Sequence, residues 1–403
     1  MFGELNFSLA VFSILVVVAS SGANRITIRN VTEDRANLAS REELVSSMFF
    51  FRFFITLGLF ALTSIFALIL YEATALLFLL VLASLIFQPF EVLDLHQQGL
   101  AKVKPVTVIR TGVFIVSSAL KVSVVLLDQS PAWIFSLVLF EHALVAALFY
   151  VFIGVGEGRK LIRLIHFSPV RLREILNEAW PEILAGLGGI LFVRLDQVML
   201  RIMEGAESVG IYSAATRVSE GWYFVPAAIV AASFPKVVQL KAASEKAYLD
   251  SISILISIIV ALGFIVSLVF VFFAHDIIHL LFGDSYAESG IILQLHCFAA
   301  IFIFMGSVSG SWLASERKLI WNLHRNAIGL LVNVVANLIL IPIYGGVGAA
   351  VATLIAVVTA FYIFDAFTPK LRFIFWMKTY ALCTMGMSGI RLAYTYLQSR
   401  SKS

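Results

Sequence analysis

Long apolar segments separated by short polar connections make up most of this 403-residue chain. A helix needs about 20 mostly apolar residues to cross the roughly 30 Å hydrocarbon core of a bilayer. Twelve segments approach that length, near residues 7–24, 48–70, 74–93, 106–127, 131–154, 182–203, 213–235, 251–273, 290–313, 325–343, 346–367 and 374–396. The pattern predicts an all-α, polytopic membrane protein, in which the last segment either spans the bilayer or lies at its interface.

Basic residues occur in alternate connections, which tests this segmentation independently. One set of connections holds 21 of the 29 Lys and Arg residues: Arg25, Arg29, Arg35, Arg41, Lys102, Lys104, Arg110, Arg159, Lys160, Arg163, Arg171, Arg173, Lys236, Lys241, Lys246, Arg317, Lys318, Arg325, Lys370, Arg372 and Lys378. The other set holds none. Because cytoplasmic loops retain Lys and Arg, the first set is predicted to face the cytoplasm. Met1 would then lie outside with no basic segment before the first span, which suggests that an upstream helix is missing.

Composition excludes a water-soluble protein, since 60% of the residues are hydrophobic and only 13% are charged, against about 25% charged in soluble domains. The net charge of +4 gives no indication of a nucleic-acid partner. Cys297 and Cys383 both lie in apolar segments without C-x-x-C spacing, so we expect two small core residues rather than a disulfide or a metal site. No cofactor is predicted. The chain carries no H-E-x-x-H, G-x-S-x-G or Walker A motif, which argues against an enzyme.

One connection is longer and strongly basic, at residues 156–181. Within it, Ser168 and Pro169 are predicted to cap and open an amphipathic helix that continues to Trp180. We therefore predict an N-terminal bundle at 1–155, a cytoplasmic linker at 156–181, a C-terminal bundle at 182–368, and an additional helix and tail at 369–403. A weak repeat at an offset of 217 residues favours two pseudo-symmetric bundles.

Charged and polar side chains inside spans are costly and mark either a substrate path or a buried pair. Arg194, Gln197 and Arg201 lie at i, i+3 and i+7, so they form a cationic stripe on one helical face. Arg52 and Lys121 lie within other spans. For the basic residues the pattern leaves open whether they line a cavity or snorkel and pair structurally.

A second group of polar residues suits coupling or gating. Asp196 is a candidate salt-bridge partner, and Arg217 and Glu220 are spaced to pair with each other. His142, beside Glu141, could titrate near neutral pH, although a lone His in a span is more often a satisfied hydrogen-bonding group.

A third group suits helix packing. Asn333 and Asn337 share one face of their span and can hydrogen-bond to neighbouring helices. Pro342, Gly345 and Gly348 are candidates for a tight turn between two closely packed helices.

Four stretches carry a family resemblance: Leu195-Asp196-Gln197-Val198-Met199-Leu200, residues 209–215 (VGIYSAA), residues 281–286 (LFGDSY), and residues 333–353. They resemble the O-antigen and capsule oligosaccharide flippases, the polysaccharide transporter branch of the multidrug/oligosaccharidyl-lipid/polysaccharide exporter superfamily. Residues 2–8 resemble the segment that follows the first membrane helix of that family, so the resemblance also implies that this helix is missing here.

The resemblance implies two bundles around a central cavity, and export of an undecaprenyl-diphosphate-linked oligosaccharide to the periplasmic leaflet of a bacterial inner membrane. Arg52, Lys121, Arg194, Gln197 and Arg201 would then bind the diphosphate. The expected partners are the lipid-linked oligosaccharide and the bilayer, with a glycan polymerase and a ligase as further candidates.

Two alternatives stay open. A cation-coupled drug exporter of the same superfamily would favour acidic residues in the cavity. A glycan polymerase, ligase or acyltransferase would need a substantial outer loop, and the longest outer connection here is residues 274–289.

Overall fold

The computed structural model describes residues 1–20, 23–70, 74–158, 162–163, 166–387 and 389. Every regular element in these ranges is helical. Ten helical segments among them are long and apolar enough to span a bilayer. The prediction of an all-α, polytopic membrane protein is therefore confirmed.

The chain packs as two compact units, Met1–Arg194 and Leu195–Ser403. The predicted domain boundaries at 155, 181 and 368 stay predictions. The first unit contains α1 (Phe2–Ser20), α2 (Asn24–Glu33), α3 (Leu38–Leu70), α4 (Ala75–Leu82), a 3₁₀ segment (Ala83–Phe90), α5 (Glu91–Gly99), α6 (Val103–Leu126), α7 (Ala132–Leu148), a π-helical segment (Phe149–Gly158), and most of α8 (Pro169–Met203).

The 3₁₀ segment before α5 contains a proline. Pro89 lies inside this segment and lacks a backbone N–H, so it cannot donate an α-helical hydrogen bond to the Leu85 carbonyl. The tighter geometry ends at Phe90, and α5 begins with Glu91. Glu91 thus lies at the junction of the 3₁₀ segment and α5.

The second unit begins inside α8 and continues with α9 (Ala206–Glu220), α10 (Phe224–Ala243), α11 (Glu245–Phe282), α12 (Ser289–Ser315), α13 (Leu319–Val358), a π-helical segment (Thr359–Ile363), α14 (Phe364–Phe367), a 3₁₀ turn (Pro369–Leu371) and α15 (Arg372–Cys383). Its apolar core includes Ile256, Val260, Met305, Val308 and Ile374. Burial of these side chains packs α11, α12 and α15 together.

Some predicted element boundaries are wrong. The linker helix does not end at Trp180 but runs through Pro181 to Met203 as the single helix α8, since proline is tolerated within membrane helices. The predicted Ser168 cap is present: its Oγ accepts from the Arg171 backbone N–H at 3.3 Å. The linker residues 159–161 and 164–165 lie outside the described part of the chain.

The C-terminal predictions also need correction. In the predicted span 374–396, α15 ends at Cys383, and a turn follows in which Met385 and Gly386 have φ of 49° and 80°. Residues 390–403 are not described. Cys297 is buried as predicted, but Cys383 is exposed, because Ile374, Lys378 and Ala381 occupy the inner face of α15.

Candidate functional site

A cavity of about 400 Å³ lies inside the first unit. Its apolar wall includes Phe87, Phe90 and Phe149. The polar residues that line it are Ser20, Asn24, Arg52, Gln88, Glu91, Arg110, Glu141 and His142. Several charged groups thus converge on one cavity within a membrane-embedded helical unit, which is the usual setting of a ligand site.

Arg52 is the most buried cation of this cavity, with 2% of its surface exposed. Its Nη2 donates to Asn24 Oδ1 at 2.7 Å and to the Ser20 carbonyl at 3.3 Å. Its Nε is buried and has no hydrogen-bond partner among the described residues. Because removing a guanidinium from water is costly unless an anion compensates it, Arg52 is suited to bind a negatively charged ligand.

Arg110 forms the second cationic part of the cavity wall. It bridges Glu91 in a short ion pair and Asp94 Oδ2 at 2.7 Å, and its guanidinium lies 5.2 Å from the centre of the Phe149 ring. The sequence places Arg110 in a connection, but it lies in α6. This residue and Glu91 were missed as site candidates because each lies near the end of its apolar segment.

Lys121 pairs with an acidic residue of the cavity wall. Its Nζ lies 2.6 Å from Glu141 Oε2, which also accepts from Ser117 Oγ at 2.7 Å. Glu141 lines the cavity, whereas Lys121 is not among the lining residues. The neighbouring His142 donates from Nδ1 to the Val138 carbonyl at 2.9 Å, an assignment that follows from its acceptor partner.

The stripe Arg194, Gln197 and Arg201 is not part of this cavity. Gln197 is buried in the second unit and donates to Ser213 Oγ at 3.1 Å. Arg194 ends the first unit, and Arg201 is half-buried near the end of α8. Within the first unit, the structure brings Arg52, Glu91 and Arg110 together in the wall of this cavity.

A buried polar cluster lies around Asp196 in the second unit. Asp196, with 1% of its surface exposed, accepts from Tyr212 Oη at 2.8 Å, from Asn337 Nδ2 at 2.6 Å, and from Thr353 Oγ1 in a shorter contact. Asn337 also donates to Asn333 Oδ1 at 3.1 Å. The carboxylate is thus held by neutral donors from α9 and α13.

This arrangement differs from the salt bridge expected for Asp196. The hydrogen bonds found for it in the described structure come from hydroxyl and amide groups and not from a basic side chain. Arg217 is exposed on α9, and Glu220 is half-buried. Tyr212 and Thr353 were missed as functional residues, although both lie in the motif stretches that carry the family resemblance.

A second buried cluster joins the C-terminal helices. Lys378 Nζ lies 2.7 Å from Asp365 Oδ2, and both side chains are fully buried. Ser309 Oγ contacts Lys378 Nζ at 2.9 Å and Arg325 Nη1 at 2.8 Å. Arg325 and Lys378 were assigned to connections, which is wrong. They lie inside helices, where polar partners compensate their burial.

The candidate packing residues lie in or near the break within α13. Gly345 has φ of 54° and ψ of −131°, and Pro342 precedes it inside the same helical run. A Cβ added at Gly348 would lie 2.3 Å from the Leu340 carbonyl oxygen. The run Leu319–Phe367 thus consists of two helices that meet at Gly345, which agrees with the separate predicted spans 325–343 and 346–367.

The sequence of the chain matches a known protein family and a known relative. The model of the family described as polysaccharide biosynthesis protein matches residues 1–241. A probable low-salt glycan biosynthesis flippase of Haloferax volcanii is 24% identical over 188 residues, which cover 45% of this chain and 39% of the relative. The chain thus matches well under two thirds of that relative's length.

Solved structures show the same fold. An inward-facing multidrug resistance MATE family transporter of the MOP superfamily superimposes with a TM-score of 0.71 and 13% identity, covering 98% of this chain and 91% of the other. The lipid II flippase MurJ, in an inward closed conformation, gives a TM-score of 0.64 and 15% identity, covering 98% and 90%. At these identities the likeness shows the fold alone.

Proposed function

Because the chain belongs to the polysaccharide biosynthesis protein family, we propose that it moves a lipid-linked glycan from one leaflet of the cytoplasmic membrane to the other. The cargo we propose is an oligosaccharide on undecaprenyl diphosphate, moved from the cytoplasmic to the periplasmic leaflet of a bacterial inner membrane. The single observation that carries this choice is Arg52, a buried guanidinium that lines a cavity and whose Nε has no hydrogen-bond partner within the described part of the chain.

The chemistry of Arg52 favours a phosphate group as its ligand. A guanidinium binds phosphate oxygens through paired, charge-assisted hydrogen bonds, which are strong where water is excluded. The cavity volume falls within the range of about 300–1,000 Å³ that is common for small-ligand sites. Phe87, Phe90 and Phe149 add apolar surface, while Gln88 and Asn24 add neutral polar groups that suit a sugar.

The second part of the proposal is that transport is coupled to the uptake of a proton or a small cation, and we assign this coupling to the Asp196 cluster. A buried carboxylate held by neutral donors changes its charge when it takes up a proton or a small cation, and its partners must then rearrange. Asp196 contacts α9 and α13 together, so such a change would alter the packing of those helices. Arg217, Glu220 and His142 stay secondary candidates, as do Arg194, Gln197 and Arg201 for the cargo.

The alternative functions are less well supported. A cation-coupled drug exporter would take positively charged cargo, which the buried Arg52 would repel. A glycan polymerase or ligase would need a catalytic acid or base, and each acidic side chain that lines the cavity, Glu91 and Glu141, forms an ion pair with a basic side chain.

Complementation of a bacterium that lacks its own flippase but keeps the matching glycosyltransferases tests this function. We expect the wild-type chain to restore surface polysaccharide, and Arg52→Gln to reduce it more than about tenfold, because a buried charged hydrogen bond to the cargo is lost. Arg29→Gln is the matched control, since Arg29 is half-exposed and lies outside the cavity. Full polymer from Arg52→Gln, at equal amounts of membrane protein, would contradict the proposal.

A further inference from the structure

We propose that the Glu91 carboxylate competes with an anionic ligand for the two arginines of the first-unit cavity. Glu91 thereby sets the minimum negative charge that a ligand must carry to bind there. This inference rests on the proposed function, because it presumes that the cavity receives a phosphate group. It adds a specificity-determining residue that the family resemblance does not assign.

The position of Glu91 supports this role. It is the first residue of α5, it lines the cavity, and it forms a short ion pair with Arg110. Its charge also acts on Arg52, whose side-chain acceptor in the described structure is the neutral Asn24. One carboxylate thus supplies negative charge to both guanidinium groups of the cavity.

A ligand can replace Glu91 as the ionic partner of Arg110 with little loss of folding free energy. The Arg110 side chain is 42% exposed and that of Glu91 is 28% exposed. Ion pairs with this much access to solvent contribute little to stability. A ligand that supplies stronger negative charge can therefore displace Glu91 without unfolding the unit.

Arg110 would stay in place when Glu91 leaves it. Asp94 holds Arg110 at 2.7 Å and is only 10% exposed. Asp94 in turn accepts from Gln98 Nε2 at 2.9 Å and does not line the cavity. Asp94 is thus a fixed partner of Arg110, whereas Glu91 is the partner that a ligand can replace.

Competition of this kind discriminates by charge. A diphosphate carries more negative charge and more acceptor oxygens than a monophosphate, so it competes with Glu91 more effectively for the two guanidinium groups. Removing the Glu91 charge should therefore increase the affinity for a monophosphate more than the affinity for a diphosphate. Glu91 would therefore favour diphosphate-linked cargo over the monophosphate-linked lipids of the same membrane.

Equilibrium binding by the purified full chain tests this inference, with farnesyl monophosphate and farnesyl diphosphate as the probes. Glu91→Gln keeps the size of the side chain and removes its charge. We expect it to tighten monophosphate binding about fivefold and diphosphate binding by less, a ratio typical of one solvent-accessible ion pair. Glu178→Gln is the matched control, because Glu178 pairs with Arg29 and does not line the cavity, and it should leave both affinities unchanged.

The outcomes separate this inference from the proposed function. If the wild type binds the diphosphate and Arg52→Gln does not, but Glu91→Gln leaves both affinities unchanged or weaker, the role of Glu91 is wrong while the anion site stands. If neither probe binds the wild type or Glu91→Gln, or if binding is insensitive to Arg52→Gln, both proposals fail. Glu91→Ala repeats the test should Glu91→Gln not fold, as judged by its thermal unfolding.

Discussion

At the scale of single residues, the two buried aspartates of the second unit are stabilised in different ways. Asp196 is held by hydroxyl and amide donors, whereas Asp365 pairs with Lys378. A carboxylate held by neutral donors can change its charge without leaving a partner charge uncompensated. A carboxylate in a buried ion pair cannot, so the two sites should respond differently to substitution.

Thr353 offers a matched pair of substitutions for the Asp196 cluster. Thr353→Val keeps the shape but removes the hydroxyl donor, so we expect a loss of about 1–3 kcal/mol in unfolding free energy together with impaired transport. Thr353→Ser keeps the donor and should cost less than Thr353→Val. Unfolding in detergent, measured by circular dichroism, checks the order. Equal stability of the two variants would contradict the hydrogen bond to Asp196.

Lys378→Met should be strongly destabilising, by roughly 3–5 kcal/mol, because it leaves Asp365 buried without its cation. The double substitution Lys378→Met with Asp365→Asn removes both charges and should recover part of that loss. A double-mutant cycle on unfolding free energies measures the coupling. Additive losses would show that the ion pair contributes no coupling.

Many of the buried polar residues could be predicted from the sequence, but few of their hydrogen-bonding or ionic partners could. It selected Arg52, Asp196, Asn333 and Asn337 because polar groups within apolar segments are conspicuous. It missed Asp365, and it placed Arg325 and Lys378 in connections, since a charge near the end of an apolar segment looks the same whether it faces water or the core. Only packing decides between the two environments.

At the scale of elements, the break within α13 depends on glycine. Gly345 has a positive φ that favours glycine, and Gly348 leaves no room for a Cβ next to the Leu340 carbonyl. We expect Gly345→Ala to cost about 1–2 kcal/mol through backbone strain, and Gly348→Ala about 1–3 kcal/mol through overpacking.

Thermal unfolding of these variants checks both expectations. Gly112→Ala is the matched control, because nothing lies within 4 Å of the added Cβ and α6 is helical there. It should be neutral or stabilising by up to about 1 kcal/mol. Losses of equal size at all three positions would contradict the steric account.

The N-terminal part of α8 is docked against α2 by ion pairs. Arg29 donates to Glu178 at 2.6 Å, and Arg171 donates to Asp34 at 3.1 Å. The hydrogen bond from Arg29 lowers the pKa of Glu178 below its usual value. A lowered folded-state pKa means that this contribution is present above the usual Glu pKa and is lost as pH falls through the folded-state value.

We therefore expect amide exchange in residues 170–178, corrected for its intrinsic rate, to increase about twofold as pH falls from 6 to below 4. The effect is small because the pair is exposed. Arg29→Gln should make exchange faster at pH 6 and remove most of the pH dependence. Unchanged protection in that variant would show that the remaining contacts, such as Ser168 with Ser47, suffice for docking.

Element boundaries were predictable where sharp local signals exist. The Ser168-Pro169 start of α8 was found because a hydroxyl cap and a proline are specific to helix N-termini. The end of that helix was not, since a proline within a membrane helix need not terminate it. The 3₁₀ segment before Glu91 was also missed, because apolar periodicity does not distinguish 3₁₀ from α geometry over so few residues.

At the scale of the whole molecule, the chain combines two compact helical units with two kinds of polar site. The first unit holds a cavity lined by charged side chains, and the second holds a buried polar cluster around Asp196. The proposed movement of a lipid-linked glycan, which membership of the polysaccharide biosynthesis protein family supports, would use both sites.

The most direct test of this account is translocation by the purified chain in proteoliposomes. A diphosphate-linked sugar lipid is loaded on the inner leaflet, and its arrival outside is followed with an added glycosyltransferase that cannot cross the bilayer. We predict that the inner pool becomes accessible only when the protein is present, that Arg52→Gln abolishes this accessibility, and that Arg29→Gln retains it. An inner pool that stays inaccessible, or a lipid that is elongated or cleaved by the chain itself, would contradict it.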